Sequence, residues 1–143
     1  MKLRKLNIYR GNELKNPSVK AEFAECMKDT WAVYPVSFGV DLNDPVGSFL
    51  EGASRFGRED EIVACHCCFV PGHEMHYDPE KLPSDITIKS LVTGCEIGME
   101  YPIAFAVHGG GDTRVDFVFS NVNRIGGETA DDLPDVLEKL MAF

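Results

Sequence analysis

His108, Arg114 and Asp116 are the residues whose types and spacing offer this chain some chemistry. A histidine, a guanidinium and a carboxylate close together can hold or repel a divalent ion, move a proton, or neutralise one another as an ion pair. The stretch YPIAFAVHGGGDTRVDFVFSNVNRIGG, Tyr101 to Gly127, shows how they meet. Apolar and β-branched residues run through Pro102 to His108 and through Arg114 to Val122, and Gly109 to Asp112 separate them, which is the pattern of two strands joined by a turn. Alternation along the second strand places Arg114, Asp116, Val118 and Ser120 on one face and Val115, Phe117, Phe119 and Asn121 on the other. His108 ends one strand near the start of the next, so all three polar groups converge on one sheet face, where charged side chains need partners.

A second concentration of reactive types is Cys65, His66, Cys67 and Cys68, with His73 and His76 beyond. Successive strand residues point to opposite faces, which separates Cys65 and Cys67 from His66 and Cys68. No Cys-x-x-Cys pair recurs at a second site, so tetrahedral zinc is the weaker reading and small buried hydrophobes the stronger. Five cysteines without a signal sequence also point to reduced thiols. If the chain takes a metal, His108 and Asp116 are the expected ligands, with His66 or His73 completing the shell.

The elements that would position these groups follow from periodicity. Leu3, Leu6 and Ile8 suggest a short first strand ended by Gly11 and Asn12. Val19, Phe23, Cys26 or Met27, and Thr30 or Trp31 recur at helical spacing over residues 18–31, with Asn16 or Ser18 as cap. Val33 to Val40 is extended, and Pro35 makes it an edge or irregular strand. Asp44 then caps a helix with Pro45 at its first position, an apolar face of Val46, Phe49, Leu50, Ala53 and Phe56, and Gly57 as terminator. Glu61 to Val70 is a strand. Ser84 and Asp85 open a helix carrying Ile88, Leu91, Val92, Cys95 and Met99, and Pro134 introduces a final helix over about 133–142 with a seam of Leu133, Leu137, Leu140 and Met141. The expected fold is α+β, one domain over 1–143, with a single antiparallel-centred sheet and helices packed mainly on one face.

This layout resembles the mobilisation relaxases, the HUH-type nucleases that nick plasmid DNA. In that family a strand ends in a metal-binding His, an Asp-Thr loop follows, and the next strand carries His-x-His, an apolar run and Asn. AVH supplies the first His at His108, Asp112 and Thr113 resemble the loop, and RVDFVFSNVN resembles the His-x-His strand with Arg114 and Asp116 in the histidine slots. The neighbouring register puts Val115 and Phe117 there and also lacks histidine. The nucleophilic tyrosine of the family sits a few residues before Asn-Pro; here the pair is Asn16-Pro17 and the slot holds Glu13. The Asp-Pro helix ending in Phe-Gly and the strand ending in Pro-Gly also match. The likeness covers about residues 1–127, and it implies an HUH-type fold whose nuclease equipment is degenerate.

Charge bears on what such a chain does. The 143 residues carry a net charge of −9. Residues 1–35 hold seven Lys/Arg against four Asp/Glu, whereas residues 36–143 hold seven against nineteen. Nucleic-acid affinity comes mostly from Lys and Arg on phosphates, so an acidic body disfavours DNA unless the basic cluster Lys2, Arg4, Lys5, Arg10, Lys15 and Lys20 overrides it. The expectation is a cytoplasmic, non-membrane protein of a mobile element, catalytically degenerate, without a cofactor. It would act as an acidic binder or inhibitor, an anti-CRISPR type being one instance, on a basic protein or nucleoprotein. Asp112, Thr113, Glu128, Asp131 and Asp132 are its expected contact residues, and DNA binding is expected to be weak or absent. The alternatives are a divergent metal-dependent DNA-nicking domain and an accessory DNA-binding relic.

Overall fold

The computed structural model describes residues 1–28, 32–35, 40–71, 84–94, 100–109 and 113–142, with residues 32–35 and 85 described by backbone alone. In chain order the elements are β1 (Lys2–Arg10), a 3-10 turn (Gly11–Lys15), α1 (Pro17–Cys26), β2 (Ala32–Pro35), α2 (Pro45–Arg55), β3 (Ile62–Val70), α3 (Asp85–Thr93), β4 (Ile103–His108), β5 (Arg114–Ser120) and α4 (Leu133–Leu140). The expected caps form. Asn16 Oδ1 accepts from Ser18 N at 3.0 Å, Asp44 Oδ1 from Gly47 N at 3.1 Å, and Ser84 Oγ from Thr87 N at 3.1 Å. Each satisfies an amide that the first helical turn leaves without a partner. Gly57, at φ +66, follows the last turn of α2 in the left-handed region that glycine enters without a steric penalty.

The five strands form one sheet in the order β1-β3-β5-β4-β2, and every pairing is antiparallel. The fold is therefore α+β with a single antiparallel sheet. β2, which contains Pro35, lies at an edge, where a missing amide donor interrupts no central ladder. β1 is longer than the sequence suggests, because β3 templates it along its whole length.

The helices do not gather on one face of the sheet. α1 and α2 bury Val19, Phe23, Cys26, Val46, Phe49 and Ala53 against Ala64, Ala104 and Val118. On the other face, α3 and α4 bury Ile88, Val92, Leu133 and Leu137 against Cys65, Cys67, Phe105 and Phe117. The physical reason is visible in β3: Val63 through Phe69 are all buried, and a strand covered on both sides reads as a continuous apolar run. Small residues on the α1/α2 face, Ala64 and Ala104, let those helices approach closely. α1 ends at Cys26 and α3 at Thr93, both earlier than their periodicity suggests; Thr30, Trp31, Cys95 and Met99 lie outside the described residues. Leu6 and Ile8 pair with Cys67 and Cys65 but are 38% and 45% exposed, since α3 and α4 leave this stretch of the β1 edge uncovered on their face, whereas α1 covers the opposite face at Asn7 and Tyr9.

Candidate functional site

β5 carries Asp116 at the middle of the sheet, paired with Cys68 on β3 and Ala106 on β4. Alternation puts its side chain on the α1/α2 face with Arg114, as expected, and the small Ala106 leaves it space. Three nitrogens surround the carboxylate. Asp116 Oδ1 accepts from His66 Nε2 at 2.8 Å, while Oδ2 accepts from Arg114 Nε at 2.8 Å and lies 3.0 Å from His108 Nε2. His108 and Arg114 are direct cross-strand partners, which is what brings the end of β4 to the start of β5. Asp116, His66 and His108 are all buried. Burial pushes the Asp116 carboxyl up, but hydrogen bonds and charge from His66 and Arg114 outweigh it and hold the group below its ordinary value of 3.8.

α1 closes the cluster from above. Glu22 and Cys26 lie one helical turn apart and both reach His66: Cys26 Sγ is 3.2 Å from Nε2, and Glu22 Oε2 is 3.5 Å from Nδ1. Glu22 is itself fixed from β1, accepting from Asn7 Nδ2 at 2.7 Å and from the Tyr9 hydroxyl at 2.9 and 2.8 Å. Desolvation, with the Glu22 hydrogen bond and charge, raises the Tyr9 phenol to about 12. Burial, then the charges of Asp116 and Glu22, also raise the Cys26 thiol, and burial with the Asp116 charge pushes Cys68 up to about 11. Arg4 contacts Cys68 Sγ at 3.6 Å. A cleft of about 250 Å³ opens onto this cluster, with Arg4, Lys5 and Arg114 on its walls beside Glu22, Cys26 and Asp116.

The expected site residues thus fall into three places. His108, Arg114 and Asp116 converge, and the ion pair between the last two forms. Glu13 is exposed and sits in the 3-10 turn, where its Oε1 accepts from the Arg10 amide at 2.9 Å. That turn adjoins Arg10, paired with Ile62, whereas Asp116 is level with Cys68; six residues of strand put the two about 20 Å apart. Glu128, inside the loop closed by the Val122–Thr129 bridge, and Asp131 and Asp132 just after it are exposed beyond the far end of β5, away from Thr113 at its start. Asp112, His73 and His76 lie outside the described residues. Cys65 and Cys67 face the α3/α4 core while His66 faces Asp116, as strand alternation requires. Cys26, Cys65, Cys67 and Cys68 are all free and buried.

Glu22, Cys26, Tyr9 and Arg4 are the participants that sequence reasoning missed. The available signal was the i, i+4 pair Glu22/Cys26, flanking the buried Val19 and Phe23. A metal held between His108 and Asp116, the ligands expected if the histidine slots kept any, does not fit here, because the Asp116 oxygen that faces His108 Nε2, Oδ2 at 3.0 Å, is already taken by the Arg114 guanidinium at 2.8 Å, which repels a cation on that side of the carboxylate. None of the known protein-family models, curated proteins or solved structures matches this chain. No helix among the described residues is long and apolar enough to cross a membrane.

Proposed function

We propose that this chain is a relaxase-like binding protein of a mobile element that does not nick DNA and acts as an acidic inhibitor of a basic, nucleic-acid-handling partner. The observation that carries the reading is the Arg114–Asp116 pair. Arg114 Nε holds the carboxylate at 2.8 Å in the slot where the relaxases, which the sequence resembles, place metal-binding imidazole, so the constellation is neutralised from within. The nucleophile fares no better. Glu13 stands in the tyrosine slot and is spent on a backbone amide, while the nearby Tyr9 is held as a neutral phenol by desolvation and by donating to Glu22. The binding half of the reading rests on charge. Glu128, Asp131, Asp132, Asp135 and Glu138 are all exposed on and before α4, with Lys139 the only cation in that stretch. Such a surface steers toward a basic groove and away from phosphate.

Two measurements test it. Supercoiled plasmid incubated with the protein and Mg²⁺ or Mn²⁺ should remain uncut. A partner captured from the native host should be lost when Glu128, Asp131 and Asp132 are reversed to Lys, and kept when Lys2, Arg4 and Lys5 are reversed to Glu. The opposite pattern, joined with sub-micromolar DNA affinity at about 150 mM salt, would overturn the reading in favour of a DNA-binding relic.

A further inference from the structure

We infer that Cys26, His66 and Asp116 form a binding site for a thiophilic divalent ion, Zn²⁺ being the best fit, which lies on the Oδ1 side of Asp116, away from His108 and Arg114, and takes Cys26 as a ligand that the sequence did not suggest. The three ligand atoms, Cys26 Sγ, His66 Nε2 and an Asp116 oxygen, lie within 4.8 Å of one another, and all three residues are buried. A thiolate, an imidazole and a carboxylate are a zinc-type donor set, too soft for Mg²⁺ or Ca²⁺. Ligands at tetrahedral angles around zinc are separated by roughly 3.4–3.6 Å. The present separations of 3.2 Å (Cys26 to His66) and 2.8 Å (His66 to Asp116) need only open by roughly half an ångström to admit the ion.

The second observation is on the far side of the imidazole. With its Nε2 proton donated to Asp116, His66 turns an Nδ1 toward Glu22 that is buried and makes no hydrogen bond among the described residues. Glu22 is held in place by Asn7 and Tyr9, so its carboxylate is presented to that nitrogen and is not there by accident of a mobile side chain. Metal-bound histidines nearly always donate their other N–H to such a carboxylate. Ion binding resolves the mismatch: Cys26 loses its thiol proton to solvent, His66 carries its proton on Nδ1 toward Glu22 instead of on Nε2, and the Nε2 lone pair goes to the metal. Arg114 stays on Asp116 Oδ2, leaving Oδ1 for the ion. The fourth position faces the cleft, where Arg4 and Lys5 favour a water or an anionic ligand. The ion then pins the end of α1 to β3 and β5.

The test uses the full chain, stripped with a chelator and titrated with Zn²⁺ and with Co²⁺. The expected result is one ion per chain with a Kd below about 10 μM, weaker than four-ligand structural zinc, with at least one proton released per ion. Co²⁺ should give a thiolate-to-cobalt charge-transfer band. Cys26→Ser should abolish that band and weaken Zn²⁺ binding by more than the roughly 10–100-fold that loss of an outer partner costs, and Glu22→Gln should weaken it within that range. Wild-type protein that binds Zn²⁺ less than stoichiometrically, or that binds Co²⁺ without a sulfur band, overturns the inference whether or not the variants fold. So does a Cys26→Ser variant with unchanged affinity.

Discussion

Replacing Asp116 with Ala removes the one anion that three nitrogen-bearing side chains share. Its side chain is 3% exposed, and the partners' are 5% for His66, 6% for His108 and 24% for Arg114. Breaking a buried pair by deleting one member costs about 3–5 kcal/mol, because the remaining charge stays buried without compensation. Arg114 retains some contact with water, which places the expected loss near the lower end, about 3 kcal/mol. Against a total stability on the order of 5–15 kcal/mol this is large, and it corresponds to a fall of about 10 °C in Tm for a chain of this size. Urea denaturation at pH 7 should show the midpoint falling with the slope unchanged. The pH dependence is the sharper check. Asp116 is held below its ordinary value of 3.8 in the folded state, so its contribution is present above that value and disappears as pH falls through the lower, folded one. The gap between wild type and variant should therefore be full at pH 7 and narrow below about pH 4. Paired with Arg114→Met in a double-mutant cycle, the coupling should exceed about 1 kcal/mol. A cost under about 1 kcal/mol at pH 7, or one that does not change on acidification, would refute the claim that the carboxylate neutralises this cluster.

The thiols make the opposite prediction at high pH. Burial pushes Cys65 up to about 12 and burial with the Asp116 charge pushes Cys68 up to about 11, from 9.0, so each favours the folded state until pH passes 9 and then withdraws about 1.4 kcal/mol per pH unit. Stability measured by urea melts should fall by about 3 kcal/mol between pH 9, where the unfolded thiols are already half ionised, and pH 10.5 from these two alone. For the same reason Cys26, Cys65, Cys67 and Cys68 should resist Ellman's reagent at pH 8 in metal-free native protein and react at once in denaturant, which thiol counting will show. Phe23 is fully buried, with ring contacts to Tyr9 at 5.7 Å, Phe49 at 6.1 Å and His66 at 6.3 Å. Phe23→Ala should cost about 3–5 kcal/mol and loosen α1 over the site, read by denaturant melts and by faster amide exchange around Glu22 and Cys26.

The features legible in the sequence are those set by neighbours a few residues apart. Asp44 and Pro45 begin α2 and Gly57 ends it, because capping and backbone preference act within one turn. The two-residue period puts Arg114 and Asp116 on one face, and a short connection forces His108 beside Arg114, so the core of the site followed from local rules. Tertiary structure alone decided the rest. Whether helices cover one face of the sheet or both depends on total apolar area, and the run from Val63 to Phe69 reads the same for a strand buried on both sides as for part of a buried helix. The contacts that complete the cluster span 40 residues from Cys26 to His66 and 50 from His66 to Asp116. No periodicity reports such distances. They follow from β3 pairing between β1 and β5, and from α1 crossing the sheet so that its last turn ends over His66, both set by how the whole apolar surface is buried at once.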